Sequence, residues 1–243
     1  MISYYSINFT LNTKLKGSNE YIRKFNLNLP NEMPFWKEPK FIGNIQNEKI
    51  DFEPYLLEIE LFNSSKINDL IMNSGPISKK LIVSDKLKLI LEKHREGGMQ
   101  FFKINIFQKN ITQGDYWILN VYEVNMEFID FTRSVIYETE NVFNYKNESK
   151  INSFDEFVKF KKEIEIKGYP SGFIIDKVKL KDNIKSDFFT LLHVEGGIKY
   201  VVSEKLKNEI EHSGCKGIEF MPIEMKYTEW LQGGEREKIY GKV

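Results

Sequence analysis

One segment of this chain occurs twice, and its pattern restricts the fold more than any other feature of the sequence. Ile-Val-Ser-Asp-Lys-Leu-Lys, starting at Ile82, returns as Val-Val-Ser-Glu-Lys-Leu-Lys, starting at Val201, an offset of 119 residues (201 − 82). The agreement continues without a gap and aligns Leu91 with Ile210, Gly98 with Gly217 and Phe101 with Phe220. Such self-similarity indicates a repeated structural unit, which has to be interpreted before any single motif.

Each copy has the pattern of a strand, a capped helix and a second strand. Two β-branched residues end a strand, and the serine that follows them, Ser84 or Ser203, stands where a helix N-cap accepts a hydrogen bond from a free amide. Apolar residues at i and i+4 then mark a buried helical stripe, and a glycine occupies the exit turn. The sequence therefore predicts an α+β fold with two similar halves, each a mostly antiparallel sheet with a packed helix, produced by internal duplication of this unit.

The repeat also suggests how the chain divides. We expect an N-terminal half over residues 1–145, which contains the first repeat unit (81–107), and a C-terminal half over residues 146–243, which contains the second (200–225). A chain of 243 residues is long enough for two small domains or one large one, so a single compact domain is the alternative.

Local patterns place further elements outside the repeat. Apolar residues predict strands over residues 2–9 and 56–62, the second with clear period-two alternation. Ser153 begins a Ser-Phe-Asp-Glu segment, which matches the capping box that opens a helix. Gly196 lies in a Glu-Gly-Gly segment between two apolar runs, which indicates a tight hairpin. The polar stretch from about Gln232 predicts a mobile tail.

Charge and cysteine content limit the classes of partner and compartment. Thirty-five basic residues balance 35 acidic residues, whereas nucleic-acid-binding proteins usually carry a strong basic excess, so we expect no nucleic-acid partner. The single cysteine excludes an intrachain disulfide and a multi-cysteine zinc site. No apolar run approaches the ~20 residues that cross a bilayer. Residues 1–6 lack the basic and apolar regions of a secretory signal, so we expect a cytoplasmic protein without membrane contact.

Few residues have a spacing that supports catalysis or metal binding. His94, His193 and His212 show no metal-ligand spacing, and a structural role in a strand or near a helix end accounts for each. Cys215 precedes a lysine that could lower the pKa of its thiol, but the equivalent position of the first repeat unit is Glu96. We therefore expect no metal, no cofactor and no enzymatic activity.

Acidic residues in strand-like segments are the remaining candidates for chemistry. They could pair for acid–base catalysis, yet alternation along a strand is also the pattern of a solvated sheet face. These residues are Glu58, Glu60, Glu123, Glu127 and Asp130. We interpret them as solvated and assign Asp130 and Ser134 to a local cap or turn, which leaves no catalytic residue to predict.

A mixed aromatic and acidic segment precedes the C-terminal tail. Tyr227, Glu229 and Trp230 have no clear core periodicity, and aromatic side chains of this kind often anchor protein interfaces. The alternative is that they seal the edge of the second repeat unit. We predict that these three residues contact a partner protein.

Three segments together resemble a known family. They are residues 81–107, a middle segment with Tyr-Trp-Ile-Leu-Asn-Val from Tyr116, Ile-Asp ending at Asp130 and Ser-Val from Ser134, and residues 200–225. With these segments the chain resembles a bacterial polymorphic-toxin immunity family, the eleventh in the immunity-protein catalogue and formerly a domain of unknown function. The likeness covers roughly a third of the chain, mostly its middle and C-terminal end.

The resemblance implies an antitoxin that binds a cognate protein toxin and neutralises it by non-covalent occlusion, with neither catalysis nor a cofactor. Two alternatives stay open. One is an enzyme of unrecognised type that acts on a small molecule in a cleft between the halves, with His193 or the strand acids as reactive groups. The other is a nucleic-acid-associated regulator, which the zero net charge disfavours. The sequence does not specify the oligomeric state.

Overall fold

The computed structural model describes residues 3–18, 20–27, 29–30, 33–141 and 144–242. Over these residues the chain has the predicted α+β class, with fifteen strands in three sheets and six α-helices. The strands are β1 (Tyr4–Phe9), β2 (Ile22–Leu27), β3 (Leu57–Leu61), β4 (Leu70–Ile71), β5 (Leu81–Ser84), β6 (Met99–Ile104), β7 (Ile106–Gln108), β8 (Ile111–Thr112), β9 (Tyr116–Val121), β10 (Val135–Glu140), β11 (Asn144–Glu148), β12 (Ser171–Lys177), β13 (Phe188–Val194), β14 (Gly197–Ser203) and β15 (Ile218–Pro222). The helices are α1 (Thr13–Lys16), α2 (Asp85–His94), α3 (Phe154–Lys167), α4 (Glu204–His212), α5 (Tyr227–Gln232) and α6 (Glu235–Tyr240).

The chain divides into two compact units, and each unit is assembled from separate segments. Unit 1 contains Met1–Ile7, Val124–Glu204 and Phe220–Ile239, and unit 2 contains Asn8–Glu123, Lys205–Glu219 and Tyr240–Val243. Each unit has its own cluster of buried apolar side chains. The predicted halves, residues 1–145 and 146–243, stay a prediction.

Both repeat units form the expected strand, helix and strand. The first consists of β5, α2 and β6, and the second of β14, α4 and β15. Their strands are not neighbours: one sheet has the order β4-β5-β9-β6, and another has the order β11-β10-β12-β13-β14-β1-β15. Strand β9 is antiparallel to β5 and to β6, so these two run parallel with one strand between them, a split β-α-β arrangement. Strand β1 occupies the corresponding place between β14 and β15. The origin of the two units by duplication stays a prediction.

An aspartate binds the serine at the start of each repeat helix. Ser84 accepts a bond from a first-turn N–H (3.2 Å), which confirms the predicted N-cap, and donates its hydroxyl to Asp69 Oδ1 (2.6 Å). Ser203, directly before α4, donates its hydroxyl to Asp187 Oδ1 (2.6 Å). In both cases the serine N–H also bonds to the carbonyl oxygen of the same aspartate (2.8 Å). The two repeat units therefore share a contact between the aligned serine and an aspartate that lies outside the aligned segment.

Helix α3 covers one face of the seven-stranded sheet. Phe157 of α3 meets Phe173 of β12 edge-on, with ring centroids 5.6 Å apart, and Lys167 of α3 binds Glu138 of β10 at 2.7 Å. Phe173 and Glu138 are partners across the two strands. Because successive side chains of a strand point to opposite faces, Tyr137 lies on the face of the sheet away from α3.

Several predicted elements outside the repeat are confirmed. The strand expected over residues 56–62 is β3, and Ser153 is the N-cap of α3. Glu195 (φ 51°) and Gly196 (φ 75°) form the turn of the β13–β14 hairpin, a conformation that two-residue hairpin turns favour.

Two predictions at the chain ends have a different outcome. The strand expected over residues 2–9 is observed from Tyr4 onward, and Ile2 lies outside the described residues. The predicted mobile tail is wrong for residues 235–240, which form α6 with Arg236 buried.

Polar side chains bond the segment before β3, at Ile45 and Ile50, to the sheet of unit 2 that has the order β4-β5-β9-β6. Lys80 Nζ donates to the carbonyl oxygen of Ile45 and to Asn120 Oδ1, both at 2.6 Å. Gln100 exchanges two hydrogen bonds with the backbone of Ile50, at 2.7 and 2.8 Å. Burial is the main cause that lowers the pKa of Lys80 to about 8. These bonds set the path of the chain into β3.

The third sheet, in the order β2-β3-β7-β8, also belongs to unit 2. Strand β3 is antiparallel to β2 and parallel to β7. The chain passes from β6 of the four-stranded sheet with β9 to β7 of this sheet through the single residue Asn105. One almost continuous strand therefore changes sheets at Asn105, a common way to form a corner between two sheets.

Replacing Ser84 or Ser203 by alanine should lower the free energy of unfolding by about 1–2 kcal/mol, because each change removes a hydroxyl that is bonded to a carboxylate. Urea unfolding followed by circular dichroism measures the loss. The control is Ser78→Ala at an exposed position, which should change stability by less than about 0.5 kcal/mol. Losses as small as that of the control would contradict a structural role for the two Asp–Ser contacts.

Candidate partner-binding surface

Each histidine considered for chemistry has a local structural contact. The ring of His94 on α2 is bonded to Glu209 on α4 at 2.8 Å, and His212 is bonded to a carbonyl oxygen one turn earlier in α4 at 2.6 Å. His193 has a φ of 62° at a bulge in β13, and its ring packs against Phe173 at 4.4 Å. In the part of the chain that the structure describes, no group of three His, Cys, Asp or Glu side chains could hold a metal ion.

The surroundings of Cys215 and of the acidic residues in the strands also indicate structural roles. Burial raises the pKa of the Cys215 thiol, which lowers its fraction of reactive thiolate. Glu60 forms an ion pair with an arginine of β2 at 2.8 Å. Asp130 accepts bonds from the hydroxyl and N–H of Thr132 (2.6 and 3.1 Å), and the hydroxyl bond is the largest cause that holds the pKa of Asp130 low. Ser134 donates to the Asp130 carbonyl oxygen at 2.7 Å, which completes the expected local turn.

Helix α5 carries all three residues predicted to contact a partner. Its first N–H group, that of Tyr227, donates to Glu195 Oε1 at 2.7 Å, and Lys226 just before it binds the Asp176 carboxylate. Glu195 lies in the β13–β14 turn, so its negative charge stands at the positive end of the helix. The start of α5 is thereby fixed to β12 and to the β13–β14 hairpin.

The three predicted contact residues differ in exposure. Tyr227 is 38% exposed and Glu229 is also exposed, whereas Trp230 is 2% exposed. Trp230 therefore lies in the interior, and only Tyr227 and Glu229 present their side chains at the surface. The assignment of these residues to partner binding stays a prediction.

Two further tyrosines lie on β10 and β11, which follow β12 in the seven-stranded sheet. Tyr145 on β11 is 48% exposed and meets Tyr137 on β10 edge-on, with ring centroids 5.3 Å apart. Tyr145 is also close enough to Lys226 to help raise the pKa of its ammonium group, although the hydrogen bond to Asp176 is the largest cause. Lys226 directly precedes α5 and binds Asp176 of β12, the strand next to β10, so we group these side chains. We name this group the tyrosine surface, and it consists of Tyr137, Tyr145, Asp176, Lys226, Tyr227 and Glu229.

Sequence reasoning missed Tyr137 and Tyr145. Alternation along residues 135–140 indicates a strand but does not reveal which face is covered. Strand β11 is exposed along its whole length and has one apolar residue, Tyr145, so it has no periodic signal to find.

No helix in the described parts of the chain is long and apolar enough to cross a membrane.

Comparison with models of protein families gives a match to the Immunity protein family (Imm11) over residues 3–225. The chain belongs to this family. The match confirms the resemblance carried by three sequence segments and extends it through the N-terminal third. No curated protein matches the chain. Membership of the immunity protein family makes a toxin the general class of partner.

Replacing Trp230 by alanine should destabilise this member of the immunity family by about 3–5 kcal/mol, because the change removes a large side chain that is 2% exposed. Tyr227→Ala on the same helix should cost less than about 1 kcal/mol, since its side chain lies at the surface. Thermal unfolding by circular dichroism compares the two. Equal stability of both variants would contradict the interior position of Trp230.

Proposed function

We propose that this protein binds a cognate bacterial toxin in the cytoplasm and neutralises it by non-covalent occlusion, which protects the cell during competition between bacteria. Membership of the immunity protein family over residues 3–225 is the observation that carries the proposal. Occlusion needs no reacting group, because a well-packed partner that covers a toxin's active site excludes its substrate. We accordingly propose no enzymatic activity and no cofactor.

We place a toxin contact on the tyrosine surface. Tyrosine is enriched among interface residues that dominate binding energy, since it offers a large rigid ring and a polar tip with few rotatable bonds. The ring of Tyr145 is supported by Tyr137, and Tyr227 stands on a helix whose start is held by Glu195 and Lys226. Side chains that are already ordered lose less entropy on binding. Such an area suits a protein partner.

Glu229 and Trp230 have different parts in this proposal. Glu229 is exposed beside Tyr227, where its charge would speed association with a cationic toxin surface more than it would add affinity. Trp230 is buried below the same helix, so it supports the contact residues without touching the toxin.

The double change Tyr145→Ala with Tyr227→Ala should raise the Kd for the purified toxin by about 30-fold or more, because both exposed rings of the tyrosine surface are lost. Isothermal titration with the purified toxin domain measures the affinity, and survival of cells that express the toxin measures protection. The matched control is Ile166→Ala, which removes an apolar side chain that is 85% exposed on α3 of the same unit.

The outcomes separate two questions. If the unaltered protein binds the toxin and the double variant binds equally well, the contact lies elsewhere on the molecule. If the unaltered protein neither binds nor protects against that toxin, the proposed function itself is wrong.

His193→Asn and Cys215→Ala should leave protection unchanged, because occlusion requires no general base and no thiolate. Asparagine is chosen for position 193 because it tolerates the positive φ of 62° better than alanine does. Survival of toxin-expressing cells is the readout, with circular dichroism as the check on folding. Loss of protection by a folded His193→Asn protein would favour the enzymatic alternative.

A further inference from the structure

Strand β6 is an outer strand of the sheet with the order β4-β5-β9-β6, in which β9 is its neighbour. The Tyr122 N–H donates to the carbonyl oxygen of Gly98 at 2.9 Å, so this carbonyl group points toward β9. Because backbone groups alternate in direction along a strand, those of Met99, Phe101 and Lys103 point away from β9. On that side they form no hydrogen bond with any residue that the structure describes. The N–H and C=O groups of these three residues are therefore open to a further strand.

A bond just beyond the end of β6 agrees with this alternation. Asn105 lies two residues after Lys103, and its carbonyl oxygen accepts a bond from the Ile59 N–H at 3.0 Å. Ile59 belongs to β3 in the sheet with the order β2-β3-β7-β8. The odd-numbered residues from 99 to 105 thus point away from β9, and among them Asn105 has its partner within the chain. The edge stays open from residue 99 to residue 103.

The open edge of β6 lacks the features that keep outer strands from pairing with other chains. Such strands usually carry charged residues, proline or bulges. In this protein β2 carries Arg23 and Lys24, β11 carries Lys146, and β15 ends at Pro222. Residues 99–102 of β6, Met-Gln-Phe-Phe, have no charge, and none of them is buried. An apolar edge that is left open in this way indicates that another chain covers it.

The edge of β6 is complementary to a second copy of itself. In an antiparallel pair with a two-fold axis at Phe101, this residue faces Phe101 of the other copy, and Met99 faces Lys103. Each facing pair exchanges two N–H···O=C bonds, and two opposed aromatic rings are a favourable cross-strand pair. An axis at Lys103 would bring two ammonium groups together instead. The axis at Phe101 therefore pairs all the outward groups without opposing like charges.

A cleft beside the end of β6 leaves room for the second copy. Its volume is about 890 Å³, and Lys103, Ile104 and Asn105 are among the residues that line it. With the axis at Phe101, Gly97 of the other copy comes opposite Asn105. Gly97 is exposed in the turn between α2 and β6, and without a side chain it takes up little of the cleft.

We infer that two copies of this chain associate through antiparallel pairing of their β6 strands, with Phe101 on the two-fold axis. Pairing joins the two four-stranded sheets into one and removes both open edges. The paired strands belong to unit 2, whereas the tyrosine surface consists of residues of unit 1. The inference therefore goes beyond toxin binding and is tested without the toxin.

Sedimentation equilibrium of the purified protein should give twice the chain mass of 28.7 kDa at concentrations up to about 100 μM. Phe101→Lys and Phe101→Glu should each raise the Kd of the dimer by about 100-fold or more, because like charges then meet on the axis. An equimolar mixture of the two variants should form a dimer again, since opposite charges then face each other. The control is Leu89→Lys on α2, at a side chain that is 56% exposed, which should leave the dimer unchanged.

A second pair of variants tests the register without altering Phe101. Met99→Glu places a carboxylate opposite Lys103 and should lower the Kd of the dimer, whereas Met99→Lys should raise it, so that the two differ by at least about threefold. Circular dichroism checks that each variant is folded. If the unaltered protein sediments as a single chain, or if its dimer is unaffected by the changes on β6, the inference is wrong. If the Phe101 variants weaken the dimer but the Met99 variants do not differ, the strands pair in another register, which also contradicts it.

Discussion

Two parallel strands joined by a helix, but separated by the width of one strand, leave a gap that another segment has to fill. Strand β9 fills the gap between β5 and β6, and β1 fills the gap between β14 and β15. Without these strands, the facing N–H and C=O groups on both sides would lack partners, at a cost of about 1–3 kcal/mol for each buried group. Strand β9 follows its repeat unit, whereas β1 comes from the start of the chain. The bond from the Ile223 N–H to the Tyr4 carbonyl oxygen (3.0 Å) shows how directly the C-terminal strand depends on the N-terminal one.

The helix that crosses such a gap has to begin and end at defined places. The repeated serine sets where each helix begins, and the repeated glycine sets the turn that follows it. Ser84 and Ser203 are each bonded twice to an aspartate that directly precedes the adjacent strand, so the start of each helix is fixed to the sheet. The exit glycines are required for a different reason. Gly217 has a φ of 84°, and a Cβ there would lie 2.7 Å from the carbonyl oxygen of Leu70, so no other residue fits without movement of the backbone.

Features that depend on residues close together in the sequence could be predicted, whereas features that depend on distant residues could not. The strand, helix cap and exit glycine around Ser84 are local, and the predicted order of elements in both repeat units agrees with the structure. The places of β1 and β9 between the strands of the repeat units were not predicted, because the pairing of Tyr4 with Ile223 joins distant parts of the chain and leaves no periodic trace. The site was harder still. Helix α5 has six residues, fewer than two turns, so no period could show that Trp230 points inward while Tyr227 points outward.

The buried Lys80 lowers the stability of unit 2 but gives the chain before β3 a defined position. Its ammonium group is bonded to two neutral oxygens, and burial lowers its pKa from 10.5 to about 8, so the charged form is disfavoured by about 3 kcal/mol relative to the unfolded chain. A methionine would avoid this penalty, but it could not donate to the carbonyl oxygen of Ile45. The segment that begins at Ile45 is held again at Ile50 by Gln100 and then leads into β3. The buried lysine therefore fixes the path of the chain into β3, and it does so with a loss of stability that an apolar side chain would avoid.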